Sequence, residues 1–236
     1  MFVETKPVRI PDYLLLSTPR SVLRFIFAGV PRRFLRCIRH LRIQFDFSYE
    51  PRCRDHEVYL IAVRIVLRIV PELVDLVFLW NNVPSRVFEG VSFKLEALTC
   101  TMNMDGAFNF LATQPQLRLL ELPNWNSIPD SVVIPQSFIP ELSELSVPVK
   151  TATRLITGRP VRSVDLRIAE GQQNVEIDWN LTMQALATSQ SSLDDLAIAT
   201  LASFPLTILS STTYHPRIRS LYFRVYAPEI TTTVRS

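Results

Sequence analysis

Few residues of this sequence have the type and spacing that catalysis or metal binding requires. Its histidines stand at positions 40, 56 and 215, and none forms an H-x-x-H or H-E-x-x-H arrangement. The sequence also has no phosphate loop of the G-x-x-x-x-G-K or G-x-G-x-x-G type. These absences favour a non-enzymatic protein that works without a cofactor or a metal.

The cysteines and aspartates give no stronger sign of a reactive centre. Cys37, Cys53 and Cys100 lack metal-ligand spacing, and their odd number and wide separation favour a reducing compartment, in the cytoplasm or nucleus. Cys100 falls at a core position of the pattern described below, which predicts an inert buried thiol. Asp194 and Asp195 are adjacent, so on a strand they are expected to face opposite sides rather than share a metal ion.

Positive charge is concentrated near the N-terminus. Seven arginines, at positions 20, 24, 32, 33, 36, 39 and 42, lie between Tyr13 and Phe45 without any acidic residue. They could bind nucleic acid or an anionic membrane, or they could form the solvated face of a capping segment. The cap is favoured because Phe25, Phe27 and Phe34 suit a buried side better than a stacking surface.

The elements that would position these residues follow a repeated pattern. The template apolar-x-x-apolar-x-apolar occurs eight times, starting at positions 38, 73, 95, 117, 142, 161, 193 and 218. Proline stands two residues before the template at positions 71, 115, 140 and 216, and one residue before it at position 160. Because proline ends helices and favours an extended residue before it, each copy is predicted to be a short strand entered from a turn.

The segments between the copies are predicted to be helical. Apolar residues at helical spacing occur in residues 56–70, 105–114, 180–189 and 201–211. The apolar run 58–80 is not expected to span a membrane, because it contains two arginines, two acidic residues and a central proline.

This template resembles the leucine-rich repeat, in its irregular form with one strand and one helix per repeat, over about residues 38–226. Asn81 and Asn103 match the asparagine of the family pattern L-x-x-L-x-L-x-x-N, and the other six copies lack it. The resemblance implies an α/β solenoid of about eight or nine irregular repeats, with a curved parallel sheet and helices on its outer face. Residues 1–37 would be a capping or partial-repeat segment, and residues 38–236 one continuous solenoid.

A narrower resemblance concerns one series of segments, "LLLSTPRSVLRFIFAGVPRRFLRCIRHLRIQF" (14–45) followed by "LRIVPELVDLVFLWN" and "FNFLATQPQLRLLELP". It is similar to the region behind the F-box in fungal F-box/leucine-rich-repeat-like proteins, although this sequence has no recognisable F-box. In those proteins the F-box recruits a ubiquitin ligase and the repeats hold the target. The resemblance implies the target-recognition part of such an adaptor, with a ligase component as a further partner.

The residues that alternate with the template are expected to line the concave side of the sheet and to bind a protein. Apolar, aromatic and arginine side chains are the anchors that interfaces favour. The predicted binding residues are Arg42, Leu79, Leu119, Glu121, Asp165, Arg167, Tyr222 and Arg224. No small-molecule substrate is expected. Two alternatives remain: a binder of nucleic acid or anionic membranes through Arg20–Arg42, and a degenerate fragment without a selected function.

Overall fold

Parallel strands that alternate with helices form both compact units of the chain, Met1–Leu117 and Arg118–Ser236. We call them the N-terminal unit and the C-terminal unit. The computed structural model describes residues 12–45, 53–102, 107–122, 134–135, 137–167, 179–200 and 218–225. Within them, the α/β class with parallel strands is confirmed. The predicted boundary between a segment 1–37 and a solenoid 38–236 stays a prediction.

In the N-terminal unit, four described strands pair in chain order, and all three pairs are parallel. The elements are β1 (Tyr13–Leu16), α1 (Pro19–Phe27), α2 (Arg32–Leu35), β2 (His40–Gln44), α3 (Cys53–Ile69), β3 (Asp75–Val83), a 3-10 helix (Ser85–Phe88), β4 (Ala97–Met102) and α4 (Ala107–Ala112). The stretch "DYLLLS" therefore supplies a leading strand before the first full copy of the template.

The C-terminal unit has the same organisation. Its five described strands also pair in chain order and in parallel. The elements are β5 (Leu119–Glu121), β6 (Glu144–Pro148), α5 (Val149–Ile156), β7 (Ser163–Arg167), α6 (Trp179–Ala187), β8 (Leu193–Thr200) and β9 (Ile218–Val225). Each new strand thus lies beside the strand that precedes it in the sequence.

The template side chains form the buried side of these strands. In the first seven copies all three template positions are buried, as the zero or near-zero exposure of Leu76, Leu120 and Leu166 illustrates. For the eighth copy the prediction that the template side chains are buried is wrong, because Leu221 and Phe223 on β9 are 37% and 39% exposed. Since side chains alternate along a strand, the residues between template positions share the other side, which we call the open face.

Proline ends one helix as the sequence predicts, and a capping box that the sequence analysis did not identify begins another. Helix α3 ends at Ile69, and Pro71 lies in the turn that leads to β3. Helix α1 begins with a capping box in which the Thr18 hydroxyl accepts from the backbone N–H of Ser21, and Pro19 occupies the first helical turn. The helix predicted over 201–211 and the asparagine side chains at 81 and 103 lie outside the described residues.

The run 58–80 divides into the end of α3, a proline turn and the start of β3. Among the described residues, no helix has the length and the apolar character needed to cross a bilayer. Arg64 instead forms an ion pair with Glu89 at 2.8 Å, and Arg68 donates to the Glu89 carbonyl. These arginines connect the helix to the turn that precedes β4.

The two units fill their interiors differently. In the N-terminal unit, aromatic rings follow one another through the core: Phe88 stacks on Phe110 at 4.3 Å, and Trp80 meets Phe45 edge-on at 4.9 Å. In the C-terminal unit, Arg159 is 1% exposed among mostly aliphatic side chains. Its guanidinium donates to the carbonyls of Pro135, Phe138, Leu155 and Thr157, so backbone oxygens rather than a carboxylate receive its hydrogen bonds. Burial lowers the pKa of Arg159, although arginine remains charged in proteins.

Candidate binding face of the strands

Four side chains on the open face of the C-terminal unit form one polar network. Arg167 on β7 donates to Glu121 on β5 at 2.6 Å, and its Nε lies 3.3 Å from Asp165 Oδ2. The Ser146 hydroxyl on β6 donates to the same Asp165 oxygen at 3.1 Å. The network therefore connects three consecutive strands and includes three residues that the sequence predicts for binding.

Partial burial strengthens this network. The side chains of Arg167, Glu121 and Asp165 are 28%, 30% and 19% exposed. Burial alone would lower the pKa of Arg167, but the hydrogen bonds and charges of Glu121 and Asp165 outweigh it, and the pKa is raised. The guanidinium is thus fixed in its charged form, with part of its surface still open to a partner.

A hollow of about 220 Å³ lies over this network. Leu119 contributes apolar surface, and Glu121, Asp165 and Arg167 contribute charge. Leu119 on β5 pairs in register with Glu144 on β6, and both residues line the hollow.

Small residues separate this network from an exposed tyrosine. Ala197 and Ala199 on β8 are 8% and 3% exposed. Tyr222 on β9 is 53% exposed and pairs in register with Ala197, which pairs with Asp165. Because neighbouring strands lie about 4.8 Å apart, the backbone of Tyr222 is about 10 Å from that of Asp165. The two buried alanines therefore lie between the charged network and the exposed ring of Tyr222.

For Arg224, the structure describes the position of the backbone in the sheet but not the side chain. It lies on β9 and pairs in register with Ala199, while Ala199 pairs with Arg167. The side chain of Arg224 lies outside the described part of the structure. Its predicted role in binding therefore stays a prediction.

A second, larger hollow of about 610 Å³ lies at the beginning of strands β5 to β8. Both Asp194 and Asp195 line it, near the start of β8. Asp194 Oδ1 lies 3.4 Å from Arg219 Nη1 on β9. Within the described residues, no group of three or more His, Cys, Asp or Glu side chains could hold a metal ion.

The open face of the N-terminal unit has separate polar contacts. His40 Nδ1 lies 3.3 Å from Asp75 Oδ2 on the next strand, with both side chains about 40% exposed. Arg42 donates twice to Gln44 on its own strand, at 2.9 and 2.7 Å. Arg42 therefore lies on the open face and not with the six exposed arginines that precede it. Exposed ion pairs such as His40–Asp75 contribute little to stability.

Apolar residues lie beside these contacts on the open face, and two of them were not among the binding residues predicted from the sequence. Tyr13 and Leu15 on β1 are 49% and 50% exposed, and they pair in register with His40 and Arg42. Leu79 is half-buried beside Gln44. The alternation within "YLLL" was the available signal, because it places residues 13 and 15 on one side of a strand.

Cys100 has an enclosed environment on β4. It is 1% exposed, and burial raises the pKa of its thiol. The thiolate is the nucleophilic form of cysteine, so a thiol that stays protonated is unreactive. The side chain fills a core position as predicted.

No family model, no curated protein and no solved structure matches this chain.

Proposed function

We propose that this chain is a non-enzymatic protein-interaction module, built as a leucine-rich-repeat solenoid, whose open strand face binds another protein. The observation that carries the proposal is the regular relation between sequence and strand order. In each unit, every copy of the template becomes a parallel strand beside the previous copy. A chain that adds one strand per repeat is organised as repeat proteins are.

The strand order also argues against one common enzyme architecture. In doubly wound α/β folds the order reverses within the sheet, and ligands bind at the crevice where it does so. Among the described strands of either unit, the order follows the sequence without a reversal. That kind of crevice is therefore missing from the described part of each unit.

The composition of the C-terminal open face favours a protein as its ligand. Arg167 and Tyr222 belong to the residue types that dominate interface energetics. The Glu121–Arg167–Asp165 network holds the guanidinium in place before binding, which reduces the entropy lost on association.

A narrower form of the proposal makes this module the target-recognition part of a ubiquitin-ligase adaptor. It rests on the similarity of residues 14–45 to the segment behind the F-box in fungal proteins. It predicts that a ligase component copurifies with the chain from its native cell, together with the target.

The proposal is tested by a matched pair of substitutions in the C-terminal unit. Tyr222 and Leu181 are 53% and 52% exposed, but Tyr222 lies on the open face and Leu181 on helix α6. We expect Tyr222→Asp to reduce partner recovery at least tenfold in quantitative affinity purification, because an interface anchor is replaced by a charge. Leu181→Asp should leave recovery unchanged.

A second variant separates loss of the face from loss of the fold. Arg167→Met removes the charge but keeps much of the side-chain volume, and it should also reduce recovery of the same protein. Thermal unfolding of all three variants shows whether they are folded. Equal losses for Tyr222→Asp and Leu181→Asp, or no loss for either open-face variant, would contradict the proposal.

A further inference from the structure

Five exposed arginines flank one exposed phenylalanine in the sequence around the end of helix α1. We call these six residues the basic tip. All six of its side chains are exposed: Arg20, Arg24, Phe27, Arg32, Arg33 and Arg36. Helices α1 and α2 carry the first five of these residues, Arg36 directly follows α2, and neither helix contains an acidic residue. The basic tip is therefore a continuous positive segment of the N-terminal unit.

Helix α1 is amphipathic, which fixes the direction of the tip. Val22 is buried against the unit, at 1% exposure. Arg20, Arg24 and Phe27 follow at positions i, i+4 and i+7 and so share the outer side of the helix. The last turn of the helix thus presents an arginine and a phenylalanine together to the outside.

Phe27 contradicts the prediction that it lies on the buried side. It is 82% exposed, whereas Phe25 and Phe34 on the same segment are partly buried. Gly29 follows in a left-handed conformation, at a φ of 60°, with nothing within 4 Å of the place where a side chain would start. The chain therefore turns sharply just after Phe27, and the ring is left at a projecting point.

The arginines of the tip are available to an external partner. Among the described residues, none of them forms an ion pair, while the arginines at positions 64, 86, 167 and 219 do. Arg33 lies 4.9 Å from the ring of Phe34, a contact that leaves its charge unneutralised. Five cationic side chains with no described carboxylate partner create an attraction for a negatively charged surface.

We propose that the basic tip docks on an anionic lipid bilayer, with Phe27 inserted at the boundary between headgroups and acyl chains. The arginines are attracted to the negative surface potential of the membrane, and this attraction acts within about one Debye length. The ring of Phe27 supplies an apolar contribution that salt does not screen. Charge and an apolar point on one helix face are the combination that such peripheral docking uses.

The same features fit nucleic acid less well. Proteins that hold single-stranded nucleic acid combine basic grooves with several aromatic side chains on which successive bases stack. Within the described basic tip, Phe27 is the single aromatic side chain that is exposed, and it projects rather than lining a groove. A single projecting ring can insert into a bilayer, whereas binding of a single-stranded nucleic acid requires several aromatic rings on which its bases stack.

Vesicle flotation of the full chain tests this proposal. The probes are vesicles of phosphatidylcholine alone and of phosphatidylcholine with about 30% phosphatidylserine. We expect binding to the anionic vesicles alone, weakening as salt rises. Removal of charge by Arg24→Gln and Arg32→Gln together should weaken binding about 30-fold, because each arginine near the surface contributes about a factor of five.

Phe27 gives the discriminating variants. Phe27→Ser should weaken vesicle binding about tenfold, and Phe27→Trp should keep binding and show quenching of the new tryptophan by brominated lipids. Arg162→Gln and Leu181→Ser are the matched controls, since both side chains are exposed in the C-terminal unit. These controls should bind like the original chain.

Three results would overturn the proposal. One is no binding to anionic vesicles at 0.1 M salt, and another is binding that neither the paired arginine variant nor Phe27→Ser changes. The third is tighter binding of DNA or RNA oligonucleotides than of vesicles at equal ionic strength, unaffected by Phe27→Ser, which would assign the tip to nucleic acid. Because Phe27 and the arginines are exposed, all variants are expected to fold.

Discussion

The two faces of the strands differ in how strictly the sequence repeats. On the buried face, leucine, isoleucine, valine, phenylalanine or cysteine occupies every template position, and the first seven copies are fully enclosed. On the open face, residues at equivalent register positions include His40, Asp75 and Ala97 within a single row. The buried face repeats because every repeat must fill the same space, whereas the open face has no such common constraint.

This difference implies that the buried face determines stability and that the open face determines recognition. Substitutions on the buried face should change the free energy of unfolding strongly, and substitutions on the open face should change it little. Recognition should show the opposite dependence, because the open face presents a different set of charges and rings in each unit. The predictions below test that separation, from the largest expected effect on stability to the smallest.

Neighbouring residues on β6 provide the sharpest contrast. Leu145 is 2% exposed on the buried face, and Ser146 is half-buried on the open face. Leu145→Ala should lower the free energy of unfolding by about 2–5 kcal/mol, because it removes buried apolar volume and leaves a cavity. Ser146→Ala should cost about 1 kcal/mol or less, since it removes one hydrogen bond to Asp165. Urea unfolding measures both, and comparable losses would contradict the separation.

Arg159 tests whether a polar group can act as part of the buried structure. Arg159→Met keeps an apolar stem but leaves the carbonyls of Phe138 and Leu155 without their donor. We expect a loss of about 2–4 kcal/mol, because unsatisfied buried groups cost about 1–3 kcal/mol each and the relieved burial of charge offsets part of this.

The exposed Arg162 is the matched control for Arg159. Arg162→Met should change the unfolding free energy by about 0.5 kcal/mol or less. If the two arginine variants were equally stable, the carbonyl contacts of Arg159 would not contribute to the fold.

Cys100 predicts a dependence of stability on pH. Because burial raises the pKa of its thiol in the folded state, the folded chain keeps a proton that the unfolded chain releases. The protonated thiol therefore contributes its full stabilisation below the unfolded thiol pKa of about 8.5, and this contribution is lost progressively at higher pH. The loss of folding stability reaches about 1–2 kcal/mol by pH 10. The original chain should lose more stability than Cys100→Val between pH 8 and 10. Identical slopes would show that Cys100 ionises as readily in the folded chain.

Much of the buried architecture could be predicted from the sequence. Proline before five of the eight template copies, together with the spacing of their apolar residues, predicted where β3, β6 and β7 begin. The apolar interval 56–70 predicted α3. These signals are local: proline restricts its own backbone, and periodic apolar residues select the element that can bury them. The template does not predict how exposed its residues are on the last described strand, β9. The partial exposure of Leu221 was therefore not predicted.

The candidate site was less predictable for physical reasons. The Glu121–Arg167 contact joins residues that are far apart in the sequence, and it depends on the register of strands β5, β6 and β7. The burial of Ala197 depends on its larger neighbours across the strands. The exposure of Phe27 depends on where α1 ends, and its apolar character alone suggested the opposite. Such properties arise from tertiary neighbours, which a residue pattern does not contain.

Site-specific photocrosslinking tests the central claim, binding of a protein at the open face, most directly. A photoreactive phenylalanine analogue is placed at Tyr222 in one chain and at Leu181 in another, because these positions are equally exposed in the same unit. Both chains are irradiated in the native cell, and their adducts are identified by mass spectrometry. Our account predicts one defined protein adduct at position 222 that is lost in the Arg167→Met background, with no such adduct at position 181. The same adduct at both positions, or its persistence after Arg167→Met, would contradict it.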